Sequence, residues 1–354
     1  MQVPFSANGV LAALAAIPFL AGGAMPASAA DSPAAHFYYM EDTLARQSLE
    51  AHHGSMGLLS PVWFTVELNG ELRSTVDPKL VRWAASRQLP LMPVIANRDF
   101  KPEAIQAALS AGAQDKLISE LLKAASEFHF QGLELDFEEV PASLRDSYAQ
   151  FVTRLAGELH KRGVQLGIAV PAPLGPGTPP SSAQPVWIPN SRAAAFDFAR
   201  IGRAVDTMTL MTYDEYTAPD QPGPVAGFAW VDAAVRKALE WVPAQKLRLG
   251  LALYYRHWSG AKVTEGPFPV ARVLAAKSGV KMAFNTVHRE MTFSFQEGPV
   301  RHVVWCSDAA SLAQRFALIS KYKLGGFAAW RVGQEDPAVW GKVFHPFPRK
   351  GAAR

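Results

Sequence analysis

The sequence predicts a closed α/β barrel of eight parallel strands, and three observations carry that prediction. Apolar strand-like runs alternate with amphipathic helical runs eight times along the chain, the pattern of a repeated strand–helix unit. The 354 residues can bury one large core or two modest ones, and a single barrel takes about 250. No G-x-G-x-x-G follows the first strand, which argues against an open dinucleotide-binding sheet.

The elements follow in order. Residues 36–40 read as the first strand, with a helix through Leu44 and Leu49 behind it. Residues 57–66 read as the second strand, after which Asp77-Pro78 offers an N-cap with proline at the first helical position. The third strand spans 89–96, followed by helix from 102 to 128 in one piece or two. Residues 132–138 form the fourth strand, and 143–162 a helix closed by Gly163. The fifth strand spans 165–172; a helix over 196–205 leads into the sixth at 206–214. A helix over 230–241 leads into the seventh strand at 246–258. A helix over 312–322, an eighth strand over 325–332 and a short helix after Asp336-Pro337 complete the series.

Two segments interrupt the alternation. Residues 171–191, rich in Pro, Gly and Ser, form a long loop at the C-terminal end of the fifth strand, either walling the active face or running free over the surface. Residues 260–308 hold one helical run and two strand-like runs, and read as a small α+β insertion between the seventh strand and its helix. Residues 349–354 read as a frayed tail.

Composition narrows the class. Apolar residues make up 49% and charged residues 19%, a globular balance without a disorder signature. The net charge of +4 is scattered, so no nucleic-acid footprint is expected. The apolar stretch 10–20, followed by Ala27-Ser28-Ala29-Ala30, makes residues 1–30 a secretory signal, although no Lys or Arg precedes the stretch. The rest, 31–354, is then the exported barrel, periplasmic or extracellular. No later segment supplies roughly 20 consecutive apolar residues, so no membrane span is expected once the signal is removed. The one cysteine, Cys306, reads as a buried small hydrophobe and leaves the chain without an internal disulfide.

The chemistry concentrates in the fourth strand. Strand alternation puts Leu133, Leu135 and Phe137 on one face and Glu134, Asp136 and Glu138 on the other. The apolar set can pack on the outer helices, which sends three carboxylates into the barrel. Same-face neighbours lie ~6–7 Å apart, close enough for like charges to raise at least one pKa. A carboxylic acid held protonated in this way can donate to a leaving oxygen, and Glu138 sits at the C-terminal strand end where barrels place chemistry. A divalent-metal site or a solvated edge strand would use the same residues. Zinc has little support, since the nearby sequence offers only His129.

The segment Gln131-Gly132-Leu133-Glu134-Leu135-Asp136-Phe137-Glu138 resembles the D-G-x-D-x-D-x-E strand of glycoside hydrolase family 18, the chitinase-like barrels. Met211-Thr212-Tyr213-Asp214 is similar to the family's M-x-Y-D. Gly250-Leu251-Ala252-Leu253-Tyr254 and Gly325-Gly326-Phe327-Ala328-Ala329-Trp330 resemble its seventh and last strands. The resemblance runs from about Phe37 to Phe344 and looks closest to the bacterial spore-cortex and cell-wall branch. Phe137, the Pro222–Val231 run and Trp330-Arg331-Val332-Gly333 carry that narrower likeness. Gln131 and Glu134 depart from the family pattern, while Asp136 and Glu138 keep it.

The resemblance implies a retaining hydrolase of N-acetylhexosamine polymers such as peptidoglycan, chitin or an amino-sugar exopolysaccharide. Glu138 would be the proton donor, Asp136 would orient the substrate's acetamido group, and Tyr213 would hydrogen-bond its carbonyl. Met211, Asp214 and Glu134 would shape the subsite, with Trp330 under the sugar and Tyr254 and Trp63 as further contacts. Trp230, Trp241 and Trp340, on helices, read as packing. A monomer without metal or organic cofactor is implied. A lectin-like barrel that binds glycans without cleaving them is the other function such residues could serve.

Overall fold

The computed structural model describes residues 34–110, 112–176 and 188–344. The expected signal at 1–30, residues 177–187 of the long loop and the tail at 349–354 lie outside the described residues.

Eight parallel strands close in chain order. They are β1 (Ala34–Tyr39), β2 (Leu58–Val66), β3 (Val94–Asn97), β4 (Gly132–Asp136), β5 (Gln165–Pro171), β6 (Thr207–Met211), β7 (Leu247–Ala252) and β8 (Gly326–Trp330). Each pairs in parallel with the next, and β8 pairs with β1. That is the outcome expected when every strand feeds a helix that packs back on the sheet in the same hand. The helices of the series are α1 (Thr43–His52), α2 (Pro78–Ser86), α3 (Pro102–Ala108), α4 (Ala113–Glu127), α5 (Arg145–His160), α6 (Phe198–Ala204) and α7 (Phe228–Ala238). After α8 (Phe268–Lys277), which belongs to the insertion, come α9 (Ala309–Tyr322) and α10 (Val339–Lys342).

Local chemistry explains where the helices start. Asp42, Asp77, Asp197 and Asp308 each accept a backbone N–H from the first turn of α1, α2, α6 and α9. Helical residues 102–128 form two helices, broken where Gly112 takes a positive φ of 85°. The core lies between strands and helices. Phe137 stacks at 6.0 Å on Tyr148 and 6.4 Å on Phe151 of α5, so the outward face of the carboxylate strand is apolar and buried.

The seventh strand is shorter than the sequence suggests. β7 ends at Ala252, the Leu253 N–H donates to Trp330 O at 2.7 Å, and the chain then leaves the barrel. Tyr254–Ser259 joins a separate antiparallel sheet, between Lys262–Pro267 and Val300–Cys306, with Glu290–Glu297 and Ala283–Asn285 beyond. The inserted sheet therefore begins at Tyr254 rather than at 260. No glycine or proline marks the switch, and strand-forming residues continue across it, which is why the two strands read as one. α8 covers one face of this sheet through Tyr255, Phe293, Val304 and the buried Cys306. A short strand, Leu72–Ser74, pairs antiparallel with β2 and was not foreseen. Among the described residues no helix is long and apolar enough to cross a membrane.

Candidate active site

The three carboxylates of β4 point into the barrel at three depths. Glu134 is deepest and fully buried. Its Oε1 accepts from the Tyr38 hydroxyl at 2.8 Å and from Thr209 at 3.1 Å, and His36 Nε2 lies 3.1 Å from its Oε2. Burial pushes its pKa up to about 7 against the pull of the Tyr38 hydrogen bond and the Arg248 charge. Burial and Arg248 together lower the His36 pKa, so that ring is neutral. Glu134 is thus sealed beneath the cleft. The expected sugar contact is corrected to a buried support, because tyrosine, threonine and histidine from β1 and β6 close over it.

Asp136 stands one step higher and is 8% exposed. Its Oδ1 has no hydrogen-bond partner among the described residues. Burial first, and the Glu134 charge second, raise its pKa to about 7.

Glu138 lies just beyond the strand, half-buried at the mouth. Asn97, the last residue of β3, clamps it: Asn97 Oδ1 accepts the Glu138 N–H at 2.9 Å, and Nδ2 donates to Glu138 O at 3.1 Å. Both peptide groups of Glu138 are therefore fixed by one side chain, while the next residue, Glu139, turns through a φ of 53°. Burial, then the charge of Asp136, raises the Glu138 pKa to about 8, and Arg192 pulls the other way. An acid in that range is protonated at neutral pH.

The end of β6, two strands along the ring, supplies a second wall. A side chain at Gly250 would come 2.3 Å from Leu210 O and 3.0 Å from the Tyr213 ring, so glycine there lets Tyr213 occupy the mouth. The Tyr213 ring meets Tyr254 edge-on at 6.5 Å. Asp214, at a φ of 60°, accepts hydrogen bonds from Tyr254 and Arg256, and Arg256 also binds Glu265 at 3.0 Å. Tyr254 is buried. Its expected role as a direct contact is corrected accordingly: it supports the site from the inserted sheet, through Asp214 and the Tyr213 ring.

Trp330, half-buried at the end of β8, packs on Tyr38 with ring centres 5.4 Å apart. Trp63 is elsewhere. Ser60 and Val62 of β2 face the interior, and a bulge between Val62 and Phe64 lets both Trp63 and Phe64 pack outward, with Trp63 buried near Phe130 at 6.1 Å. The expectation of a sugar contact there is corrected to core packing. Trp340 packs as expected, stacked with His52 at 4.5 Å.

A cleft of about 310 Å³ opens between Glu138, Met211, Tyr213 and Asp214, with Asn190, Arg192 and Trp230 completing it. Trp230, expected as packing, is buried and also lines this cleft, and it donates to Leu174 O at 3.0 Å. Asn97, Asn190 and Arg192 were not singled out in the sequence, where no local pattern distinguishes them from surface polar residues. Among the described residues, no three His, Cys, Asp or Glu side chains are grouped so as to hold a metal ion.

The model of glycosyl hydrolases family 18 matches residues 67–335. An uncharacterized glycosylase, YvbX, of Bacillus subtilis is 25% identical over 313 residues, covering 86% of this chain and 88% of that one. A chitinase from Chromobacterium violaceum superposes with a TM-score of 0.79 at 25% identity, over 91% of this chain and 100% of that one. The fold is shared with the Bacillus cereus spore cortex-lytic enzyme SleL, at a TM-score of 0.78 and 23% identity, over 91% and 76% of the two chains. The match spans most of the barrel and includes the acid-bearing strand, so this chain belongs to glycosyl hydrolases family 18 and is a glycoside hydrolase.

Proposed function

We propose that the chain cleaves β-linked N-acetylglucosamine polymers with retention, using the substrate's own acetamido group as nucleophile. The observation that carries this reading is Asp136, a buried carboxyl with an unpaired oxygen beside an acid of raised pKa. An acetamido N–H is the donor that such an oxygen lacks. The Tyr213 hydroxyl, across the mouth, supplies a donor for the acetamido carbonyl, and the Trp330 ring face stacks on pyranose C–H groups.

The steps then balance on these residues. Glu138 gives its proton to the glycosidic oxygen as the C1–O bond breaks and the acetamido oxygen closes on C1. Asp136 steadies the positive oxazolinium that results. The Glu138 carboxylate next takes a proton from water, whose oxygen attacks C1 and restores both the acetamide and the acid. Asn97 keeps the Glu138 backbone fixed through both proton transfers.

The polymer is peptidoglycan, chitin or another amino-sugar polysaccharide. The curated relatives include a cortical fragment-lytic enzyme of Bacillus subtilis, 26% identical over 78% of this chain and 64% of that one, which favours cell-wall glycan. Export, by the expected signal at 1–30, would bring the enzyme to such a polymer. The test is release of reducing ends from peptidoglycan, chitin oligomers and their de-N-acetylated forms by wild type and Glu138→Gln. Cleavage confined to acetylated glycan and lost in the variant supports the reading. Binding without turnover in wild type overturns it in favour of a lectin.

A further inference from the structure

We propose that Arg192 selects substrates whose leaving-group sugar carries a carboxylate. The inference rests on the proposed hydrolysis, because that reading fixes which way a glycan lies.

Strand order supplies the direction. In the closed ring β1-β8-β7-β6-β5-β4-β3-β2, β8 lies opposite β4, three strands apart in one sense, β7, β6 and β5, and three in the other, β1, β2 and β3. Trp330 ends β8 and Glu138 follows β4, so a sugar resting on Trp330 reaches Glu138 from across the mouth. The hollow that continues past Glu138 is bounded by residues following β5 and β6, and Trp330 does not line it. The sugar beyond the scissile oxygen, the one that leaves with the proton, enters that hollow.

The charge in the hollow is uneven. Glu138, Asp214 and Glu215 are acids on its wall, and Arg192 is the one cation among its described lining residues. Arg192 is therefore where a carboxylated glycan meets a positive charge on this wall. The side chain is also held in place. Its Nε lies 2.9 Å from Glu139 Oε1, and its backbone N–H donates to Asn190 Oδ1 at 3.1 Å. Asn190 in turn donates to Ala172 O at 2.9 Å, which ties the residue to the end of β5. Among the described residues, the terminal guanidinium nitrogens donate to no acceptor, and the side chain is 57% exposed. A guanidinium anchored through Nε presents two parallel N–H groups, the geometry that receives a carboxylate in two hydrogen bonds. Neutral chitin offers those nitrogens hydroxyl and amide oxygens but no charged acceptor. A sugar bearing an acidic ether substituent, as every second residue of peptidoglycan does once its stem peptide is removed, gives them a partner.

The experiment measures kcat/KM on peptide-free peptidoglycan glycan and on the same glycan after chemical reduction of its carboxyl groups. Wild type, Arg192→Gln and Arg192→Lys are compared, each at its own pH optimum, since Arg192 also acts on Glu138. The expected result is a wild-type preference for the carboxylated glycan that falls about 10–100-fold in Arg192→Gln, the size of a hydrogen bond to a charged group. Arg192→Lys keeps part of the preference, and the preference in wild type shrinks as salt is added. An equal loss on both glycans, or no preference in wild type, overturns the selection by Arg192 while leaving the hydrolase reading intact. No cleavage of either glycan by wild type overturns the selection by Arg192, and no cleavage of chitin oligomers as well overturns the hydrolase reading too.

Discussion

Two buried clusters of charge in this molecule share acids of raised pKa and differ in what they can do. The first is Glu134, Asp136 and Glu138 of the carboxylate strand. The second joins Glu290 of the inserted sheet, Arg315 of α9 and Glu215 of the loop before α7. Burial is the largest cause of raised pKa in both. In the second cluster the acids are supplied with donors: Glu290 accepts from Ser307 at 2.9 Å and from Ala226 N at 3.2 Å, and Glu215 accepts from Gly227 N at 2.7 Å. Arg315 adds charge and binds the carbonyls of Arg289, Ser311 and Ala226, tying insertion, loop and helix together. In the first cluster Asp136 keeps an oxygen without a donor, and Glu138 opens on a cleft. Perturbed acidity by itself therefore does not mark the site. Unspent hydrogen-bonding capacity beside open space does.

The comparison breaks most visibly at Glu138. Glu138→Gln should lower kcat by about 10³-fold or more, the range of a lost general acid, while leaving the melting temperature at neutral pH unchanged or higher. Reducing-end assays and thermal melts on one preparation check both halves. A comparable loss of stability would place Glu138 with the structural cluster instead.

Arg315→Met should do the reverse. Removing one partner of a buried charged network costs about 3–5 kcal/mol, which for a chain of this size lowers the melting point by several degrees. At 20 °C kcat should change by less than tenfold. A stable but inactive Arg315→Met would mean that the second cluster also serves the chemistry.

Asp136→Asn sharpens the first cluster from within. It should lower kcat by about 10²-fold, and it removes a negative charge that holds the Glu138 pKa up. The alkaline limb of the kcat/KM profile should then move to lower pH. A limb that stays put would show that burial alone sets the acidity of Glu138.

The smallest expected effect is on stability against pH. Glu134, Asp136 and Glu138 have folded pKa values raised to about 7, 7 and 8, above their ordinary values. The native state therefore binds protons more tightly than the unfolded chain. The stability linked to that binding is whole below about pH 4 and is lost as pH rises through 7 to 8. Glu134→Gln should flatten the fall in melting temperature between pH 5 and 8.5. An unchanged slope would mean that Tyr38, Thr209 and Arg248 already hold Glu134 as a carboxylate.

The sequence by itself determined the repeat of strand and helix, the Asp77 cap of α2 and the inward face of β4. These rest on local rules: period-two alternation, a short side chain reaching back to its own helix, apolar runs of strand length. Glu138 and Asp136 were legible for the same reason, because alternation alone sends both inward. The exit at Leu253 was not, since a strand that changes partners keeps the composition of a strand. Only the tertiary structure decided that Trp63 faces outward, that Tyr254 is sealed behind Asp214, and that Glu134 lies under a roof of His36, Tyr38 and Thr209. It also brought Asn97 to Glu138 across 41 positions of sequence. Such meetings depend on which strand lies beside which and at what register, and closure of the ring fixes both. No single segment contains that information, because the hydrogen bonds that set the register belong to pairs of strands.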